Sequence, residues 1–87
     1  MWVIYLIQHS LTKEIYIGIT GNFRRRIVEH NEGKQKATRR KKGYWCLVYA
    51  EAYRSKKDAQ ERERKLKYQG RAKHGLKKRI QRSFLGD

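Results

Sequence analysis

Val3-Ile4-Tyr5-Leu6-Ile7 is apolar on both alternations, with Val3, Tyr5 and Ile7 on one side and Ile4 and Leu6 on the other. Side chains alternate across a strand, so a strand built this way needs cover above and below. It belongs in the middle of a sheet that carries something on each face. The chain has 87 residues, 38% of them hydrophobic, which supports one core and one domain, expected over residues 1–87.

The remaining elements follow from this strand. Residues 2–8 and 14–19 are rich in Val, Ile and Tyr and are separated by His9-Ser10-Leu11-Thr12-Lys13, which reads as an antiparallel hairpin with a loop of about five residues. Gly21-Asn22 punctuates the chain, and Asn22 is a good N-cap for a helix from Phe23 to about Glu32 with Phe23 and Ile27 as its apolar seam. The stretch from Gly33 to Gly43 is polar and basic, a composition expected of a mobile loop. A third strand, apolar on both alternations, is expected from Tyr44 to Tyr53. Ser55 with Asp58 resembles a capping box for a helix reaching about Tyr68, with Gly70 as its C′ glycine. A last helix from about Arg71 shows Ala72, Leu76, Ile80 and Phe84 at i+4 spacings, and Gly75 weakens it by roughly 1 kcal/mol. The order ββαβαα is that of an α+β fold, a three-stranded antiparallel sheet flanked by helices.

Charge narrows the function. Lys and Arg number 23 against 8 acids, a formal charge of +15. Such a field favours phosphate polymers, whereas a merely solubilising surface mixes the two signs. The opening apolar run is closed by His9 and Lys13 too soon for a membrane span, and no basic segment precedes it as in a leader. A cytoplasmic protein without a membrane partner is expected. The lone Cys46 lies in an apolar run and is expected to be buried and inert, and no CxxC pair is present to build a zinc cage.

Glu63 stands out. Ala59, Glu63 and Leu66 fall at i, i+4 and i+7, which puts a carboxylate in the inward stripe of a helix otherwise crowded with Arg62, Arg64, Lys65 and Lys67. A buried carboxylate must be paired, for which Arg26 is a candidate, or protonated, or bound to a metal. Arg26 and His30 share one helical face; arginine clamps phosphate bidentately and a neutral imidazole accepts a proton at pH 7. Tyr5 and Tyr16 sit on paired strands, where tyrosine is more often a core aromatic than a catalyst.

Together Ile4-Tyr5, Tyr16-Ile17-Gly18, Asn22-Phe23-x-x-Arg26, Glu29-His30-Asn31 and Arg62-Glu63-x-x-Leu66-Lys67 resemble the GIY-YIG nuclease superfamily, most of all its short stand-alone (URI-domain) members. The resemblance spans residues 3 to about 80. It implies a metal-dependent DNA endonuclease with one divalent ion, Mg²⁺ or Mn²⁺, held by Glu63. Arg26 would stabilise charge on the scissile phosphate, one of Tyr5 and Tyr16 would activate water, and His30 would accept or orient the tyrosine proton. A lone carboxylate suits Mg²⁺, which keeps waters and substrate oxygens in its shell.

Val3 replaces the glycine of the first motif, and Ile19 stands where excision-repair relatives place a lysine. With no added DNA-binding module of the kind homing and repair relatives carry, sequence specificity is expected to be low and substrate choice to come from DNA structure or a partner protein. Phosphate contacts are expected from Arg24, Arg25, Arg39, Arg40, Lys41, Lys42, Arg62, Lys67, Arg71 and Lys73. Two readings compete: an inactive nucleic-acid-binding domain on the same fold, and a ribosome- or RNA-associated basic protein. The second leaves Glu63 unexplained.

Overall fold

The doubly apolar run forms β1 (Trp2–His9), the middle strand of a sheet ordered β2-β1-β3, with β2 at Ile15–Thr20 and β3 at Trp45–Tyr53. In this computed structural model residues 1–86 are described; Asp87, where the expected domain ends, lies outside the described residues. Both pairings are antiparallel. The register matches Tyr5 to Gly18 and Ile7 to Tyr16 on one side of β1, and Leu6 to Tyr49 and Ile7 to Leu47 on the other. Val48 is therefore the extra residue of a β-bulge, which increases the local twist of β3.

The β1–β2 turn is organised by His9, whose Nδ1 accepts the Leu11 and Thr12 amides at 3.2 Å each, while Lys13 takes a left-handed φ of 64°. The helices are α1 (Phe23–Asn31), α2 (Lys56–Tyr68) and α3 (Gly70–Arg79). Asn22 caps α1 by accepting the Arg25 amide at 3.1 Å, and Ser55 caps α2 by accepting the Asp58 amide at 3.2 Å. The expected α+β class and element order are observed.

Each face of β1 has its cover. Ile4 and Leu6 pack with Ile17, Ala59, Leu66 and Leu76 beneath α2 and α3, while Tyr5 and Ile7 pack with Trp45, Tyr16, Phe23 and Ile27 beneath α1. Ile19 joins the first group, an apolar role on the face away from α1.

Four local expectations change. Gly70 follows the C-cap Gln69 as expected but takes no left-handed φ and closes no C′ motif: it opens α3, and the break from α2 falls at Gln69, extended at φ −112° and ψ 106°. The last helix stops at Arg79, so Phe84 reaches the core from beyond the helix. Cys46 is half-buried rather than buried.

The basic 33–43 segment, expected to be mobile, is pinned. It contains a 3-10 turn at Lys36–Thr38, Thr38 is 1% exposed, and the Trp45 indole donates to its carbonyl at 2.7 Å. Arg40 forks onto Glu14, with Nε to Oε1 at 3.2 Å and Nη2 to Oε2 at 2.7 Å, and its guanidinium lies over Trp45. The Asn31 amide holds both backbone groups of Trp45, accepting from N at 2.8 Å and donating to O at 3.2 Å. Composition shows the charge of this segment but not these three anchors.

Candidate active site

Tyr5 is where the two halves of the sequence pattern meet. Its ring lies across the strand pair over Gly18, its register partner, and a Cβ on Gly18 would stand 2.9 Å from Tyr5 Cε1 and nearer still to Cζ and the hydroxyl. The glycine after Tyr16-Ile17 is thus a matter of space. Gly18→Ala is expected to cost roughly 1–3 kcal/mol through overpacking. For a domain of this size that lowers Tm by about 4–8 °C per kcal/mol, readable by thermal melting. An unchanged Tm would mean that the Tyr5 ring moves freely off the strand.

From this position the Tyr5 hydroxyl lies 2.8 Å from His30 Nε2, and His30 Nδ1 lies 2.6 Å from Thr38 Oγ1. The Tyr16 ring packs edge-on to His30 with centroids 5.0 Å apart, and 6.3 Å from that of Tyr5. Phe23 closes the aromatic cluster against Tyr5. Arg26, one turn before His30, lies with Nε 3.4 Å from Glu29 Oε1; that Nε is buried yet makes no well-formed hydrogen bond. Its pairing is therefore with Glu29, not with Glu63 as one alternative had it.

Glu63 approaches from α2. Its side chain is 19% exposed, less buried than an inward stripe implies, and Oε2 lies 3.4 Å from Lys67 Nζ. The same ammonium stands 5.9 Å from the Tyr16 ring centroid, so it links the carboxylate to the tyrosine side of the cluster.

The five expected site residues gather, but in two layers and not on one shallow surface. Tyr5 and His30 are 0% and 2% exposed, while Tyr16, Arg26 and Glu63 are half-buried around them. Burial pushes the Tyr5 phenol well above its ordinary value, the Tyr16 and Glu63 groups add to this, and Arg26 opposes it. Burial and the nearby Arg26 charge lower the His30 imidazole, with Glu29 opposing, so it is neutral at pH 7. The free protein thus holds a protonated phenol against a neutral imidazole.

Among the described residues no three His, Cys, Asp or Glu side chains form a cluster able to hold a metal. Glu63 fits a divalent cation as a single, half-buried carboxylate neutralised only by a lysine, which leaves most of the coordination shell to water and substrate, as Mg²⁺ favours.

Two groups of residues escaped the sequence reading. Thr38 is hidden in a basic loop. Glu51, within an otherwise apolar strand, accepts from Tyr49, from Tyr53 at 2.9 Å and from Arg62 Nε at 2.7 Å. Burial pushes the Glu51 carboxyl up, but these hydrogen bonds outweigh it and hold the group below its usual range. The cluster ties α2 to β3 one residue before Glu63. In the free protein Arg62 is engaged there and Arg40 at Glu14, whereas Arg24, Lys41, Lys42 and Arg71 are exposed and Lys73 is half-buried. Arg25 is exposed and lies 3.8 Å from Glu29.

The sequence matches the family model of the GIY-YIG catalytic domain over residues 1–82, and the chain belongs to this nuclease family. No curated protein and no solved structure matches it. No helix among the described residues is long and apolar enough to cross a membrane.

Proposed function

We propose that this protein is a divalent-metal-dependent endonuclease that hydrolyses phosphodiester bonds in DNA with little intrinsic sequence specificity. The observation that carries this reading is the 2.8 Å contact between the Tyr5 hydroxyl and His30 Nε2. Among the described residues no other tyrosine hydroxyl is hydrogen-bonded to a histidine. Tyr5 removes a proton from the attacking water as its own phenolic proton passes to His30 Nε2, and the hydroxide formed adds to phosphorus as the bond to the leaving oxygen breaks. Arg26, whose buried Nε lacks a well-formed hydrogen bond, supports charge on the non-bridging oxygens. Glu63 would hold the divalent ion, which when bound supplies charge stabilisation at the phosphate and leaving oxygen.

Because Tyr5 is sealed from solvent in the free protein, docking of the phosphodiester must move a side chain packed against it to admit the water. Tyr16 on this reading lines the approach.

The DNA path runs over basic residues on both sides of the site. Between Arg62 and Arg82 there are ten Lys or Arg, and the 33–43 segment adds six. Contacts of this kind position the duplex without reading sequence, so substrate choice rests on DNA shape or on a partner protein. With about five phosphates neutralised, log K should fall with log[salt] at a slope of roughly −4 to −5. The test is DNA binding and cleavage across duplex, nicked, branched and single-stranded labelled DNA in Mg²⁺, with the double variant Lys41→Ala/Lys42→Ala in parallel. Arg40 is left intact because its fork onto Glu14 anchors the loop. The variant should weaken binding to all sequences alike and flatten the slope by about two. Salt-independent affinity, or loss at one sequence only, contradicts the binding mode; tight binding to every DNA without cleavage supports the inactive domain.

A further inference from the structure

We infer that Thr38 is a positioning residue for His30: its hydroxyl holds the imidazole by Nδ1–H, so that Nε2 turns a bare lone pair toward Tyr5. The inference deepens the proposed reaction and rests on it for its catalytic consequence.

Thr38 Oγ1 has two polar neighbours, His30 Nδ1 at 2.6 Å and the Gln35 carbonyl at 3.4 Å. The carbonyl can only accept, so a hydroxyl hydrogen turned toward it frees the Thr38 oxygen to accept from His30 Nδ1–H. A neutral imidazole carries one N–H, which leaves Nε2 as an acceptor. At the other end of the ring the Tyr5 phenol keeps its proton, and His30 Nε2 at 2.8 Å is its hydrogen-bond partner. The Tyr5 end of the chain Tyr5–His30–Thr38–Gln35 selects this tautomer, and the Thr38 end accommodates it.

The hydroxyl is also rigidly held. Thr38 is 1% exposed, its amide donates to the Gln35 carbonyl at 3.1 Å, and its own carbonyl accepts the Trp45 indole at 2.7 Å. Valine at this position would keep the branched shape and remove the only acceptor for Nδ1–H. The tautomer carrying hydrogen on Nε2 would then compete, and in it the nitrogen facing Tyr5 can no longer take a proton. Thr38 lies three and four residues before Lys41 and Lys42, so the segment proposed to grip DNA also orients the proton acceptor.

The test uses the full chain labelled with ¹⁵N-histidine. The ring nitrogen shifts of His30 should show Nδ1 protonated and Nε2 bare in the wild-type protein; a spectrum with Nε2 protonated overturns the inference whether or not any variant folds. In folded Thr38→Val the shifts should move toward a mixture of tautomers, and Thr38→Ser should restore the wild-type pattern. Single-turnover cleavage in Mg²⁺ should fall about 10–100-fold in Thr38→Val, by analogy with loss of the partner that orients a metal-bound histidine, and recover with serine. Unmoved shifts in Thr38→Val overturn the inference, as does a displaced tautomer with unchanged cleavage. Should the wild-type protein not cleave DNA, the proposed function fails, while the nitrogen shifts still decide whether Thr38 sets the tautomer.

Discussion

Glu63→Ala is expected to abolish metal-dependent cleavage while leaving DNA affinity equal or higher. The Glu63 charge raises the Tyr5 hydroxyl, which places this carboxylate beside the proposed base, and among the described residues no cluster of three metal-binding side chains exists to substitute. With binding measured in the absence of the divalent ion, removing a negative charge beside a phosphate path does not weaken binding electrostatically. The fold should survive, because the half-exposed pair with Lys67 at 3.4 Å contributes little to stability. Loss of cleavage with an unchanged melting curve would therefore report chemistry and not unfolding. A variant cutting at the wild-type rate would reduce Glu63 to an ion-pair partner of Lys67.

The second large effect separates the tyrosines. Tyr5→Phe should slow single-turnover cleavage by about 10²–10⁴-fold, the usual worth of a general base. The ring would still fit over Gly18, so what is lost is the hydroxyl that faces His30. Tyr16→Phe should lower the rate by less than about tenfold, because the Tyr16 ring touches His30 by its edge and has no hydrogen-bonded proton acceptor. The reverse order of effects would make Tyr16 the base and Tyr5 its support.

How much of this was legible in the sequence depends on the range of the interaction. The central strand, the hairpin, the Asn22 and Ser55 caps and the α+β order follow from alternation and capping, which act within a few residues. The shared face of Arg26 and His30 follows from the same local periodicity. Gly70 misled because a glycine after a helical run suits either a C′ cap or the start of a new helix, and the choice was made by α3 packing Leu76 into the core.

The unread part depends on how elements pack. Thr38 and Glu51 become important only because a 3-10 turn brings the first to His30 and the packing of α2 against β3 brings Arg62 to the second. A polar residue in a basic loop and an acid in an apolar strand were the available signals, and neither names its partner. The layering of the site was likewise invisible, since which tyrosine is sealed depends on Gly18 admitting the Tyr5 ring.

Metal dependence of cleavage by the unmodified protein tests the central claim most directly. One labelled DNA duplex is followed under single-turnover conditions in Mg²⁺, in Mn²⁺ and after chelation, with binding recorded on the same samples. The account predicts cutting with either ion and none after chelation, with DNA bound throughout. Saturated binding without cutting in either ion, or equal cutting after chelation, would contradict it.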